Sequence, residues 1–449
     1  MPSLSLTRRA FTRSATAVGV GATIAGSTRV GTSAQSATVQ GQTLRILAWK
    51  HVLDEANNWL GQFASQWGDA NGVAVRVDLV DAATITHAMQ VELARGEGHD
   101  LFFHAAPVPF LADQLVDLAD VATELSDRHG RLLSFADRDS LDPETGARYG
   151  IMTGYIPTAF MYRPTAWAAI GESAGPTSWD ALRTEAPAVW TTEGMSVALG
   201  MGTQIASSVT ALAVLWANGA IVQDAQGELA LASQEAIDVV AQVRDLYQTA
   251  MLPASLKWDE DNYRNIMLQG AASATIDGLD RFRLMQARKA DVAIDTILTS
   301  PLVGSAGFDR AVAPAAMRML GMIPTYTQFA DAGRAFLLAL VDASEQIATA
   351  SRSTIFPTYP DAYAGLRADG GPLDSDPTYP DQGTAVSALK KASGWTVQLG
   401  WPGPTTRTIA QAVDEGVLPQ MFAQAASGER TPVEAVGIAA RRLKTIANR

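Results

Sequence analysis

The chain has five imidazoles in its 449 residues: His51, His87, His99, His104 and His129. No two of them are three or four residues apart, so no helix face can offer a histidine pair to a metal, and no HExxH motif is present. Cysteine is absent, which removes disulfides, thiolate metal sites, iron–sulfur clusters and thiol catalysis. The acidic runs Asp259-Glu260-Asp261 and Asp374-Ser375-Asp376 lack the spacing and closing glutamate of a calcium loop and read as solvated loop acids. Neither a GxSxG nucleophile turn, nor a phosphate-cradling GxxxxGK[ST], nor a GxGxxG behind a strand occurs. No metal and no cofactor is expected. One carboxylate pair, Asp277 and Asp280, follows the expected strand at Ala274–Ile276. It could hydrolyse a glycoside only if the two groups stood about 5–10 Å apart across a bound sugar.

Aromatic residues at strand and loop ends suggest different chemistry. Trp49 ends an apolar run, Tyr155 lies in Gly150–Pro157, Trp216 in the sequence WANG and Trp401 in GWPG. A sugar ring presents a face of C–H groups, which packs on indole or phenol, and a rim of hydroxyls, which needs polar partners. His51, His104, Asp277 and Asp280 are the candidate hydroxyl partners. The competing reading is that each aromatic is simply core. For Trp59, Trp67 and Trp179, on helix faces or at helix starts, the core reading is the expectation.

Alternating strand and helix patterns must position these groups. Leu44–Trp49 reads as a buried strand, and Asp54–Trp67 as a helix with Trp59, Leu60, Phe63, Ala64 and Trp67 on one face. Val73–Val80 alternates as a half-buried strand, Thr84–Arg95 is a second helix, and Asp100–His104 a third strand. This β-α-β-α-β order predicts a parallel sheet covered on both faces. Its ligand crevice lies beyond the carboxyl ends of the strands, where Trp49-Lys50-His51 and His104 stand. Farther on, Ile205–Asn218 and Ser233–Thr249 read as helices, Gly270–Asp277 and Val292–Leu298 as strands, and Ala330–Ile347 as a long helix. Two helices are expected to close the chain. Thr431, Pro432 and Glu434 mark the start of the last one with a capping box.

Composition narrows the function. With 47% hydrophobic and 18% charged residues the chain is globular rather than disordered, and at roughly 100–200 residues per domain its length fits two to four domains. A net charge of −12 argues against nucleic acid, which selects for clustered Lys and Arg. Residues 1–34 carry Arg8, Arg9, Arg13 and Arg29 and no acid. The Arg8-Arg9 pair, an apolar stretch from Ala15 to Ala25 and the small residues Thr32-Ser33-Ala34 have the order of a twin-arginine export signal. The mature protein is therefore expected outside the cytoplasmic membrane, in the periplasm, soluble, and without the cysteine a lipoprotein requires.

Several passages then resemble the extracellular solute-binding proteins of ABC importers, in their large sugar-binding class. The resemblance rests on Leu44–Trp67, on Gly98-His99-Asp100-Leu101-Phe102, and on Phe160-Met161-Tyr162-Arg163 leading to Pro176-Thr177-Ser178-Trp179-Asp180. It continues through Gly270-Ala271-Ala272-Ser273-Ala274, Ala335-Phe336-Leu337 and Gly428–Ala435, in the family's order. It implies an α/β, type II-like fold of two lobes joined by crossing strands, with lobe 1 at 43–157 plus 292–352 and lobe 2 at 158–291 plus 353–449. It also implies a monomer that binds a small polar solute, a sugar or polyol, hands it to a membrane ABC permease and catalyses nothing. His104 and Asp280 fall where sugar-binding relatives often place aromatics, and Trp401 falls near their last-lobe aromatic. Two polar residues in three such positions favour a smaller, more hydroxylated or partly charged ligand. The alternatives are an exported glycoside hydrolase using Asp277 or Asp280, and a binder of a charged solute. For the latter, a carboxylate-rich cleft would favour a polyamine and an Arg such as Arg163, Arg281 or Arg407 an organic acid.

Overall fold

The computed structural model describes residues 43–258, 265–304, 308–374 and 385–449. The expected export signal at 1–34 lies outside them, as do Asp259-Glu260-Asp261 and Ser375-Asp376. Strand β1 (Thr43–Trp49) lies between β2 (Ala74–Val80) and β3 (Leu101–His104), parallel to both. The expected parallel sheet ends there. Antiparallel β10 (Met317–Met322) pairs with β3, then comes β4 (Ile151–Ile156), and β11 (Phe356–Pro357) forms the edge, giving a mixed sheet of six strands. Strands that return from elsewhere in the chain complete this sheet, and local hydropathy carries no record of their direction.

The apolar face expected of the first helix holds the sheet from one side. Helix Asp54–Asn71 brings Phe63 and Trp67 edge-on to Phe336 of helix Ala330–Asp342, at ring-centre distances of 5.6 and 5.2 Å. Phe103 of β3 closes the cluster at 6.4 Å. Helix Ala82–Arg95 buries Ile85, Met89 and Leu93, in the same core as Leu47 and Phe102. The long helix expected over Ala330–Ile347 breaks at Ala343, where the Ser344 hydroxyl donates to Val341 O at 2.6 Å. That bond competes with the helical ladder.

A second sheet has four strands in the order β6 (Ser196–Ala198), β7 (Ala272–Gly278), β5 (Thr158–Tyr162), β8 (Ile297–Thr299). The strand expected at Val292–Leu298 is only partly realised. A short helix, Ala290–Ile294, takes its first half, since a brief apolar run suits either state. Backbone pairing also settles sheet membership. β8, placed with lobe 1 by sequence, pairs with β5, while β11, placed with lobe 2, pairs with β4. Three helices rather than two finish the chain: Arg407–Asp414, Val417–Ala426 and Pro432–Ala447. The last has the expected capping box, Thr431 and Glu434 each bonding the other's backbone N–H.

The chain passes from the six-stranded to the four-stranded sheet at Pro157, between β4 and β5, and re-enters the six-stranded sheet through Ala315-Ala316, between β9 (Ala313–Pro314), which lies in neither sheet, and β10. β9 pairs in parallel with β12 (Thr396–Val397). Beside these passages lies a fully buried ion pair, Arg318 Nε to Asp139 Oδ2 at 2.9 Å, both side chains at 0% exposure. Asp139 Oδ1 accepts from Leu399 N at 2.9 Å and Thr405 Oγ1 at 2.5 Å, and the Arg318 Nη1 donates to Ala315 O at 3.1 Å. A lone charge left in such a place is costly. Asp139→Ala is expected to lower the unfolding free energy by about 3–5 kcal/mol in urea titration; a loss under about 1 kcal/mol would show that the pair does not tie the fold together.

Candidate functional site

Four helix starts and one strand end meet in a cleft between the two sheets. From the six-stranded side come Trp49 to Val52 after β1, Asp54, and Asp81 to Ala83 after β2. From the four-stranded side come Gln204 and Ile205, opening helix Ile205–Ala217, and Asp280 and Arg281, opening helix Leu279–Arg288 directly after β7. Met317 of the second passage lies between them. The outer chamber has a volume of about 490 Å³. It continues into a narrow pocket of about 30 Å³ bordered by Thr158, Val209, Thr210, Ile276 and Asp277. Of the residues bordering both spaces, Asp280 and Arg281 carry charge. None of the helices starting at Asp54, Ala82, Ile205 and Leu279 is capped by a side chain. At two of these starts a first-turn N–H donates to the cap carbonyl, Ala56 N to Leu53 O at 3.2 Å and Thr84 N to Asp81 O at 2.9 Å, and no side chain takes up the others.

Gly278 lets the floor close. A Cβ there would stand 3.0 Å from both Ile156 Cγ2 and Ala316 Cβ, the two passages, and 2.3 Å from Asp280 Oδ1. Asp280 is 3% exposed as a residue and borders both spaces. Its neighbour Asp277 is engaged: Oδ1 accepts from Gly278 N at 2.7 Å, and Oδ2 lies 3.8 Å from Arg281 Nε. The indole N–H of Trp49 donates to Arg318 O at 2.8 Å, which fixes its ring beside His51, with centres 5.7 Å apart. His51 Nδ1 accepts from Leu53 N at 3.0 Å, so Nε2 carries the proton toward Thr354 Oγ1 at 3.1 Å. Burial holds His51 below the usual histidine range although the nearby Asp280 opposes this. The ring is neutral.

Of the eight residues singled out by sequence, Trp49, His51, Asp277 and Asp280 border this cleft. The other four lie elsewhere. His104 stands at the correct end of β3, but helix Ala82–Arg95 covers that face. Its Nε2 pairs with Thr86 Oγ1 at 3.0 Å, and its Nδ1 lies 2.7 Å from Ala106 O and 3.0 Å from Ala106 N. Tyr155 is buried between Phe135 and Phe356, ring centres 4.9 and 5.7 Å away. Trp216 and Trp401 pack on each other at 5.6 Å. Lys50, placed at the crevice by the strand-end rule, borders it too, while Asp54, Asp81, Gln204, Arg288 and Met317 were not foreseen as site residues. The strand-end rule could have found Asp81, which directly follows β2. Gln204 and Arg288 carry no such mark. Of the three arginines left open by sequence, Arg281 borders the cleft, Arg163 is paired with Asp295 at 2.9 Å, and Arg407 with Asp113 and Asp142 at 2.8 and 2.9 Å. No group of three or more metal-ligating side chains is found among the described residues, and none of their helices is long and apolar enough to cross a membrane.

No family model and no curated protein matches the chain. Solved structures do. A solute-binding protein of an ABC transporter from Thermotoga lettingae, bound with alpha-D-tagatose, superposes with a TM-score of 0.73 at 18% identity, over 90% of this chain and 99% of that one. Maltose-bound T. maritima MalE3 does so with 0.73 at 17%, over 90% and 99%. A solute-binding protein from Agrobacterium radiobacter in complex with ribitol gives 0.71 at 16%, over 91% and 99%. The fold is thus the two-lobed α/β fold of periplasmic binding proteins, as the sequence led one to expect.

Burial pushes His104 down to about 4, so the folded protein keeps this ring neutral where the unfolded chain protonates it. Below the unfolded value of about 6.5 the unfolded state binds the extra proton, and stability falls with pH. The unfolding free energy is expected to decrease from about pH 7 to about pH 4, with His104 contributing up to about 3 kcal/mol. His104→Asn should remove that share of the slope; an unchanged slope would show that the ring is already charged in the fold.

Proposed function

We propose that this chain is the substrate-binding component of an ABC importer, taking a carbohydrate or polyol between its lobes and releasing it unaltered to a membrane permease. The observation that carries this reading is the cleft between the two sheets, where Trp49 and His51 from one side meet Asp277, Asp280 and Arg281 from the other. Such a mixture of one aromatic and several polar groups suits a small hydroxylated solute, whose hydroxyls would bond the carboxylates and the guanidinium. Trp49 would offer the one aromatic edge, with His51 holding it in place and Asp277 positioning Arg281. The structural neighbours' tagatose, maltose and ribitol are in keeping with such a guest. The lobes would follow the two sheets, hinge at the passages by Pro157 and Ala315-Ala316, and use binding energy to shift an open–closed equilibrium. Export by the twin-arginine route, residence in the periplasm and a monomeric state complete the proposal.

Catalysis is disfavoured by the floor of the cleft. Glycoside hydrolysis needs two carboxylates at work, whereas Asp277 is already engaged by Gly278 N and Arg281. The test is a melting-temperature screen of the chain from about residue 35 against sugars, polyols, polyamines and organic acids, with product analysis on each hit. A sugar or polyol at a hundred times its dissociation constant should add about 2.7 kcal/mol of stability and be recovered intact. Cleaved oligosaccharide would make the protein a hydrolase, and a response confined to amines or acids would remove the carbohydrate reading. With a hit in hand, Trp49→Ala should weaken binding by roughly 1–3 kcal/mol, while Trp401→Ala, away from the cleft, should lower stability and leave affinity unchanged.

A further inference from the structure

We infer that Arg352 ties the two walls of the cleft together and, on the solute-binding reading on which this rests, sets how readily the empty protein opens. Helix Ser344–Ala350 ends in a Schellman turn, in which Arg352 N donates to Thr349 O at 3.0 Å and Ser353 N to Ala348 O at 2.6 Å. Such a turn needs a left-handed residue just past the cap, a place that glycine fills at Gly72, Gly96 and Gly194 after other helices. Here Arg352 fills it with φ 54°, and Ser353 follows with φ 61°. Every other residue of positive φ among those described is a glycine. A Cβ in this region crowds the following carbonyl oxygen, and such strain is kept where surrounding contacts hold it, most often at sites of function.

The contacts of this turn run to both sides of the cleft. Toward the six-stranded sheet, Thr354 Oγ1 lies 3.1 Å from His51 Nε2. His51 is in turn clasped by Asn57, whose Oδ1 accepts from His51 N and whose Nδ2 donates to His51 O, both at 2.8 Å. Toward the four-stranded sheet, the Arg352 guanidinium reaches helix Leu279–Arg288, Nη1 donating to Arg283 O at 3.3 Å and Nη2 to Gln286 Oε1 at 3.2 Å. Arg283 answers from that helix: its Nε donates to Arg352 O at 2.9 Å and its Nη1 to the same Gln286 oxygen at 2.8 Å. Arg283 and Gln286 are buried, so these bonds form largely out of water, where they are strong. The helix they hold opens with Asp280 and Arg281 on one wall of the cleft, and His51 borders the other. Three consecutive residues, Arg352 to Thr354, thus span from wall to wall. A glycine at 352 would end the helix at lower backbone cost and give up the hold on Arg283 O and Gln286.

The test needs no solute. The chain has no cysteine, so Ser65→Cys on helix Asp54–Asn71 and Gln248→Cys on helix Gln234–Ala250, both exposed positions, can carry a donor and an acceptor dye on the chain from about residue 35. Single-molecule energy transfer then reads the separation of the two sides, and hydrogen exchange reads helix Leu279–Arg288. Arg352→Gly is expected to raise the population with the longer dye separation about threefold or more. Exchange of the Leu279–Arg288 amides should quicken by about tenfold, the effect of losing one hydrogen bond to a charged group. Should that variant not fold, Arg352→Lys, which keeps the charge and loses the forked donors, should move both readings in the same direction. If either reading stays at the wild-type level, or if loosening is confined to helix Ser344–Ala350, Arg352 only ends a helix and the inference fails, while the carbohydrate reading stands on its melting screen. A silent melting screen beside a widened Arg352→Gly protein removes the carbohydrate reading and leaves the tie between the walls.

Discussion

Arg318 is the residue on which the two halves of this molecule and its cleft jointly depend. Its guanidinium is sealed against Asp139, whose other oxygen holds Leu399 N and Thr405 Oγ1 on the segment leading into the last helices. Its backbone N–H donates to Ala105 O beyond β3, and its carbonyl receives the Trp49 indole. One residue at the crossing thus joins the six-stranded sheet, the C-terminal segment and the first wall of the cleft. A buried ion pair adds little stability by itself compared with apolar packing, but losing one partner strands the other. Such an arrangement tolerates almost no alternative geometry, which fixes the crossing between the two sheets.

The cleft places its charges differently. At the crossing both carboxylate oxygens of Asp139 are bonded within the protein, to Arg318, Leu399 N and Thr405 Oγ1. At the floor of the cleft Asp280 and Arg281 border both spaces, with Asp277 held by Gly278 N and standing 3.8 Å from Arg281. Polar groups at the crossing face one another, whereas those at the cleft also face open space.

Much of the local structure was legible. Apolar spacing placed helix Asp54–Asn71 and the strands from β1 to β3 within a few residues, and the Thr431–Glu434 box marked its helix start to the residue. The strand-end rule brought Trp49 and His51 to the cleft, and the two acids after Ile276 arrived there because β7 ends at the floor. What was not legible depended on partners far away in the chain. His104 obeys the same rule as Trp49 and yet is roofed by Thr86. Tyr155 was read as a platform because it stands near a crossing, but Phe135 and Phe356 enclose it. Trp216 and Trp401, far apart in sequence, satisfy one another rather than a guest.

The division has a physical cause. Periodicity, capping and turn chemistry act over a few residues, so the sequence alone determined the alternation of strand and helix, the general place of the site at strand ends, and the chemical types available there. Strand direction, sheet membership and the pairing of each charge are set by backbone hydrogen bonds and side-chain contacts between segments a hundred or more residues apart. Only the tertiary structure could therefore decide that β10, β4 and β11 complete the first sheet, that β8 belongs to the second, and that Asp277 and Asp280 reach the cleft while His104 and Tyr155 are enclosed elsewhere.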